Sequence, residues 1–323
     1  MTKLITGGTG YIGAELAHLL VDQGQEVVLF DIAINRHRIH DIESKVSIVQ
    51  GDLGNWAEVL NVVKDNNIIE IYHLGSMLTY MSELNPWASF RSNVIGTYNV
   101  LEAARLFGVQ KVMFASTLGT FGLEMDEVIT DRSLQRPVSM YGCGKLYGEG
   151  LGRFYRNKFG LDFRSVRFAH MIGPNVRSPG HWAPPMIQDA ILGKSNECIY
   201  GTPESTVSMI YVRDAARAAY MLLQATEENI KMGNYNVTGI PAVISGKELE
   251  TTLKARYLGF SVTYRPDALS QRGSYKAWGV MKVFDDSYAR KEWGWQPLYD
   301  TAEGIIDIFA GDMRTYPERY GLA

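Results

Sequence analysis

Residues 6–13 read Thr-Gly-Gly-Thr-Gly-Tyr-Ile-Gly, directly after the short apolar run Lys3–Thr6 and directly before a helix-like pattern. Few features narrow a fold as far as this one. Gly7 permits a tight strand-to-helix turn, Gly10 lets the backbone approach a pyrophosphate, and Gly13 lets the helix pack closely on its sheet. The pyrophosphate then faces the positive end of the helix. The turn therefore predicts a β–α–β unit that holds a dinucleotide, and with it a parallel sheet.

The rest of the first half agrees. Short apolar runs at Lys3–Thr6, Glu26–Phe30, Ser47–Gln50, Ile69–Leu74, Lys111–Ser116 and Asp162–Phe168 read as strands. Helical patterns lie between them at Tyr11–Gln23, Trp56–Asn66, Pro86–Phe107 and Tyr141–Phe159. This alternation predicts an α/β fold, a Rossmann-type doubly wound parallel sheet whose strands are apolar because helices cover both faces. After Gly173-Pro174 the pattern loosens into a Pro- and Gly-rich loop, helix patterns at Ala183–Leu192, Val212–Ala225 and Lys247–Tyr257, and a strand at Ser261–Arg265. We expect residues 1–173 to form the dinucleotide-binding domain. Residues 174–323 should form a smaller C-terminal substrate lobe, with some chain returning to the sheet. That lobe should cover the carboxyl ends of the strands, where ligands sit in open α/β sheets.

Asp31 ends the second strand. A carboxylate there accepts both ribose hydroxyls and repels a 2′-phosphate, so it selects NAD over NADP. Arg36 and Arg38 follow and are read as a solvated loop rather than a 2′-phosphate clamp. Asp52 closes the third strand, where it meets an adenine amino group or caps a helix. Leu74, Gly75 and Ser76 end the fourth strand, where backbone passes close to the cofactor; the neighbouring His73 reads as a satisfied core histidine. Tyr11, Ile12, Ile32, Leu53 and Phe168 complete the expected cofactor lining.

Tyr141-Gly-Cys-Gly-Lys145 lies about 130 residues after the glycine loop and just beyond Ser116-Thr117. Lys145 follows Tyr141 by one helical turn, on the same helix face. An ammonium beside a phenol favours the phenolate and lowers its pKa from about 10. The phenolate then removes a hydroxyl proton as hydride leaves the same carbon, Lys145 also reaches the nicotinamide ribose, and Thr117 holds the substrate oxygen. The chain's bulk numbers suit this chemistry. A net charge of −3 over 323 residues gives no reason to expect nucleic acid or a membrane surface as partner. No apolar run approaches the ~20 residues that span a bilayer, and no signal peptide is visible. The two cysteines, Cys143 and Cys198, exclude a disulfide framework and make a reducing cytoplasm the simplest setting. The scattered histidines have no metal-ligand spacing, so no metal is expected.

These motifs resemble the extended short-chain dehydrogenase/reductase family, the NAD-dependent epimerase/dehydratase superfamily, over nearly the whole chain. The likeness is carried by Thr6–Gly13, Gly51-Asp-Leu53, His73-Leu74, Asn93-Val-Ile-Gly-Thr97, Ser116-Thr117 with Phe121-Gly122, Tyr141–Lys145, and Arg167 with Gly173-Pro174. It implies an enzyme with Thr117, Tyr141 and Lys145 as the catalytic set and Asn93 as a helper that also borders the cofactor. It further implies a homodimer through a four-helix bundle of the helices at Pro86–Phe107 and Tyr141–Phe159. Within the family the chain is similar to the threonine-dehydrogenase branch, through Ser116–Gly122, Gly160–Arg167 and Asp285–Trp295. Leu78-Thr79 stands where that branch has a Leu-Ser pair that reaches its amino-acid substrate.

Two substrate-facing segments depart from the branch: Ala169-His170 replaces Pro-Gly, and Gly180-His-Trp-Ala-Pro184 replaces Gly-Thr-Thr-Asp-Tyr. Thr79, Thr117, Tyr141, His170, His181 and Trp182 are thus the expected substrate pocket. The expected activity is NAD-dependent oxidation of a secondary alcohol in a small polar molecule, such as a threonine-like hydroxy amino acid or hydroxy acid. Two alternatives stand beside it: a sugar or nucleotide-sugar epimerase with transient oxidation, and a catalytically silent NAD-sensing protein. Nucleotide-sugar epimerases carry an arginine where this chain has Val207, although Arg177 and Arg213 offer other anion clamps. Leu118-Gly119 after Thr117 replaces the Asp-Glu of the dehydratases.

Overall fold

The computed structural model describes residues 2–176, 180–267 and 279–322. Its strands, in chain order, begin with β1 (Thr2–Thr6), β2 (Glu26–Asp31), β3 (Ser47–Gln50), β4 (Glu70–His73), β5 (Lys111–Thr117), β6 (Val128–Ile129), β7 (Asp162–Phe168) and β8 (His170–Ile172). They continue with β9 (Asn196–Cys198), β10 (Thr206–Tyr211), β11 (Asn234–Val237), β12 (Ile240–Ser245), β13 (Val262–Tyr264) and β14 (Val283–Phe284). Seven of them form one parallel sheet in the order β11-β7-β5-β4-β1-β2-β3. The order reverses between β1 and β4. That opens a crevice beyond the carboxyl ends of the strands at the place where open α/β sheets bind ligands.

Helices clothe both faces. On one, α1 (Tyr11–Asp22) supplies Leu16 and Leu20 to the same buried cluster as Ala215, Leu222 and Leu223 of the helix Val212–Gln224. On the other, α2 (Trp56–Asp65) packs Val59, Val62 and Val63 with Val100 and Leu101 of the helix Gly96–Leu106. Each of these leucines and valines contributes roughly 1.5–3 kcal/mol when fully buried. The helix Met140–Phe159 lies on this second face. It is capped by the Ser139 hydroxyl, which accepts from Gly142 N at 3.0 Å, and it ends at left-handed Gly160. It approaches the sheet so closely that a Cβ on Gly152 would sit 2.1 Å from the Phe163 ring.

The expected single helix over Pro86–Phe107 is three pieces: Pro86–Ser89, a π-helical stretch Phe90–Ile95, and Gly96–Leu106. Wide π turns often mark functional positions, and this one turns Asn93 inward. A smaller mixed sheet, β6-β14-β12-β10-β8, and the pair β13-β9 carry much of the second half. Their core joins Trp182, Met186, Ile187 and Val207 with Leu249, Phe260 and Phe309 of later elements. β11, by contrast, pairs with β7 at the edge of the large sheet. Among the described residues no helix is long and apolar enough to cross a membrane.

Candidate active site

A cavity of about 780 Å³ occupies the crevice. Its floor is the glycine turn. Gly7 has φ 65°, and its N–H donates to Phe30 O at 2.8 Å. A Cβ on Gly7 would stand 2.8 Å from Gly75 Cα, and one on Gly13 only 2.2 Å from Gly7 O. Bare backbone is therefore required where β1, α1 and the end of β4 meet. The turn presents the helix N-terminus to the cavity, which fits a pyrophosphate.

Asp31 lines the same cavity. Its Oδ2 accepts from Thr9 N at 3.0 Å and Thr9 Oγ1 at 2.9 Å, and its Oδ1 accepts from Ala33 N at 3.3 Å. A carboxylate has about four acceptor positions, so capacity remains for a ribose hydroxyl. Thr9, which orients this carboxylate, went unread in the sequence although it sits inside the glycine motif. Neither Arg36 nor Arg38 lines the cavity. Arg36 pairs with Glu43, and the Arg38 guanidinium lies over the Tyr11 ring at 3.6 Å. The residues present thus fit NAD. Asp52 also lines the cavity, accepting from Gly54 N at 2.8 Å and Arg91 Nη2 at 3.3 Å. The cap of α2 is Asn55 instead. Tyr11, Ile12, Ile32, Leu53, Leu74, Gly75, Ser76 and Phe168 complete this side. Buried His73 bonds Thr6 at 2.7 Å and Thr97 at 3.1 Å, and burial holds its imidazole neutral, near pKa 3.

Asn93 does not line the cavity. It is buried, accepting from Met77 N at 2.7 Å and donating to Met77 O at 2.9 Å, so it shapes the cavity by pinning the chain that does line it.

Tyr141, Lys145 and Thr117 converge on the cavity. The Ser76 and Thr117 side chains neighbour the Tyr141 hydroxyl and favour its ionised form. The Lys145 ammonium donates to Ala115 O at 2.7 Å and lies 5.6 Å from the Tyr141 ring centre. Thr117 Oγ1 also accepts from Gly119 N at 3.1 Å, so it caps a turn as well as facing the phenol. The expected lowering of the phenol pKa is not what this arrangement yields. Burial pushes Tyr141 up to about 12 and Lys145 down to about 7. The correction has a simple cause: desolvation disfavours both charges, and the amine is held by a backbone carbonyl rather than by the phenol.

Thr79, His170 and His181 line the cavity's other end with Met77, Leu78 and Met171. Trp182 does not, contrary to expectation. Its indole is buried in the second core, with Gly201 so close that a Cβ there would meet Trp182 Cγ at 2.8 Å. It immediately precedes the helix Ala183–Ile191, whose apolar face draws it inward. Arg213 is also engaged elsewhere, bonding Asp312 at 2.7 Å and lying over the Tyr316 ring. Val207 is buried inside β10. Arg177 lies outside the described residues. Met77, Tyr80 and Met81, which flank the expected Leu78-Thr79, line the cavity as well and are absent from the sequence reading.

A family model described as the NAD dependent epimerase/dehydratase family matches residues 3–238. The mitochondrial L-threonine 3-dehydrogenase of Sus scrofa is 30% identical over 311 residues, spanning 94% of this chain and 81% of that protein. A monomeric L-threonine 3-dehydrogenase from a metagenome superposes with a TM-score of 0.85 at 25% identity, covering 99% of this chain and 100% of that one. A Thermus thermophilus UDP-glucose 4-epimerase in complex with NAD superposes with a TM-score of 0.80 at 25% identity, covering 96% and 99%.

Proposed function

The chain belongs to the NAD-dependent epimerase/dehydratase family, and from that premise we propose that it oxidises a secondary alcohol of a small polar substrate, a threonine-like hydroxy amino acid or hydroxy acid. The observation that carries this reading is the meeting of Tyr141, Thr117, Ser76 and Lys145 in the one cavity that Asp31 and the glycine turn also line. In this reading residues 1–173 hold the cofactor and most of the substrate-facing side chains, and residues 174–323 form the smaller lobe, from which His181 reaches the cavity.

When bound, NAD⁺ supplies the acceptor for the hydride. The protein's part is proton handling and positioning. Thr117 and Tyr141 hold the substrate oxygen between them. Tyr141 takes the hydroxyl proton, which requires its phenolate. Phenol with neutral amine, and phenolate with ammonium, contain the same number of protons. The phenol reaches that state by passing its proton to a neutral Lys145 amine, and the low Lys145 pKa makes that amine available near neutrality. Lys145 stabilises the phenolate as it forms. Asn93 acts indirectly, through Met77.

Epimerisation is the second reading, supported by the likeness to the Thermus enzyme. Against it stand Val207 at the pyrophosphate-arginine position and Arg213, which is occupied by Asp312 and Glu15. The intact trio argues against a silent NAD sensor. A homodimer is part of the proposal, supported by exposed Trp87, Tyr98, Tyr147 and Phe154 on the helices that would form the bundle. So is a cytoplasmic setting, supported by the two free cysteines.

The test is a panel containing L-threonine, hydroxy acids and UDP-sugars, followed by NADH absorbance. Accumulating NADH with a hydroxy compound supports the dehydrogenase. An epimerised sugar without net NADH would overturn it.

A further inference from the structure

Thr9 lies inside the glycine turn, and its side chain is fully buried. The glycines around it leave its backbone little freedom. A Cβ on Gly8 would lie 2.8 Å from Leu29 Cβ, so the turn is pressed onto β2. Gly10 N donates back to Gly7 O at 3.0 Å, which closes the turn on its other side. The Thr9 hydroxyl is therefore delivered to one place, beside the carboxylate that ends β2.

A hydroxyl has a single proton to give. Two oxygens compete for this one, Asp31 Oδ2 at 2.9 Å and Ala33 O at 3.2 Å. The carboxylate is nearer and charged, and charge-assisted bonds are the stronger ones, so the proton goes to Asp31. Asn35 N donates to the same hydroxyl oxygen at 3.2 Å. That bond occupies the oxygen's acceptor side and leaves the O–H turned toward Asp31. Asn35 N–H, Thr9 O–H and the Asp31 carboxylate thus form a chain in which each bond polarises the next.

The chain determines which carboxylate oxygen is left for a ligand. Oδ2 takes two bonds from Thr9, one from its backbone N–H at 3.0 Å and one from its hydroxyl. A carboxylate oxygen has about two acceptor positions, so Oδ2 is filled. Oδ1 accepts from Ala33 N at 3.3 Å and, among the described residues, keeps a position open. Without the hydroxyl, the carboxylate turns about its Cβ–Cγ bond against less resistance, and its two oxygens are no longer told apart as firmly.

We propose that Thr9 is a positioning residue for coenzyme choice: its hydroxyl locks the Asp31 carboxylate with Oδ1 presented to the adenosine ribose, and the preference for NAD⁺ over NADP⁺ depends on Thr9 as well as on Asp31. The proposal rests on Asp31 meeting that ribose. A locked carboxylate holds an acceptor ready for a ribose hydroxyl and a charge in place against a 2′-phosphate. A carboxylate free to turn gives up part of both.

The test measures dissociation constants for NAD⁺ and NADP⁺ by fluorescence titration in the parent, Thr9→Val, Thr9→Ser, Asp31→Ala and the Thr9→Val/Asp31→Ala double variant. Valine keeps the branched shape and removes the hydroxyl. It should weaken NAD⁺ about fivefold, the scale of one hydrogen bond, and shrink the NAD⁺ preference by a similar factor. Serine keeps the hydroxyl and should stay within about twofold of the parent. In the Asp31→Ala background, Thr9→Val should leave the preference unchanged, because Thr9 acts through the carboxylate. Thr9→Ala takes the place of the valine variant should thermal unfolding show that valine disrupts the turn. Equal weakening of both dinucleotides, an unaltered preference without the hydroxyl, or a serine variant that behaves like valine overturns the proposal. A preference narrowed by Asp31→Ala but not by loss of the hydroxyl removes Thr9 alone. A preference that Asp31→Ala also fails to narrow removes Asp31 as the ribose ligand, and this inference with it.

Discussion

The two ends of the cavity are built in different ways. The cofactor end is mostly backbone: the glycine turn, the strand ends at Asp31, Asp52 and Gly75, and one helix N-terminus. Much of it is contiguous in sequence, and its chemistry follows from bare glycines and a single carboxylate. The substrate end is mostly side chain, gathered from Thr79, Thr117, Tyr141, His170 and His181 on separate elements. A backbone site tolerates little variation because a single Cβ fills it. A side-chain site changes identity by substitution while its scaffold stays the same. The comparison thus explains how one family frame accepts such different alcohols.

The sharpest way to separate the ends is Tyr141→Phe. It keeps the ring in place and removes the proton acceptor. We expect turnover to fall about 10²–10⁴-fold, with NAD⁺ affinity nearly unchanged by fluorescence titration. The pH profile provides the companion reading. Oxidation requires the pair to have lost a proton, so the rate should rise as pH increases through about 7, the Lys145 value. In Lys145→Met the rise should move toward the phenol's own value of about 12. A profile unchanged by that substitution would assign the ionisation to another group.

Trp182→Ala probes the boundary between site and scaffold. Because the indole is core, its loss should cost about 3–5 kcal/mol of stability in denaturant unfolding. Trp182→Phe should retain most of the substrate affinity. A large affinity loss with stability intact would return Trp182 to the pocket.

Asp31→Ala tests the cofactor end and should have the smallest effect. Losing the ribose hydrogen bonds should weaken NAD⁺ by roughly tenfold, on the order of 1.5 kcal/mol, and narrow its lead over NADP⁺. Equal binding of the two dinucleotides to the parent protein would mean that Arg38 leaves the Tyr11 ring to meet a 2′-phosphate.

Local information made the cofactor end readable. Each residue of Thr6–Gly13 acts within a few positions of its neighbours, and Tyr141 and Lys145 are one helical turn apart. Apolar strands between helices specify a parallel sheet by themselves, because both faces must be covered. The sheet and the glycine turn were therefore legible, as was the meeting of Thr117, Tyr141 and Lys145 at one cavity.

What the chain folds into at the other end depended on contacts between residues far apart in sequence. Whether Trp182 faces substrate or core was decided by the apolar space beside Gly201. Whether Asn93 lines the cavity was decided by the π turn and the bonds that Asn93 makes to Met77. Whether Arg213 is free to clamp an anion was decided by Asp312, 99 positions away by sequence number. Even the direction of the Tyr141 and Lys145 pKa values came from burial, which a one-dimensional pattern does not contain. Sequence alone determined the backbone-built half of this protein, because turn geometry and strand burial are local or periodic. Tertiary structure decided the side-chain-built half, because packing and desolvation depend on which distant residues meet.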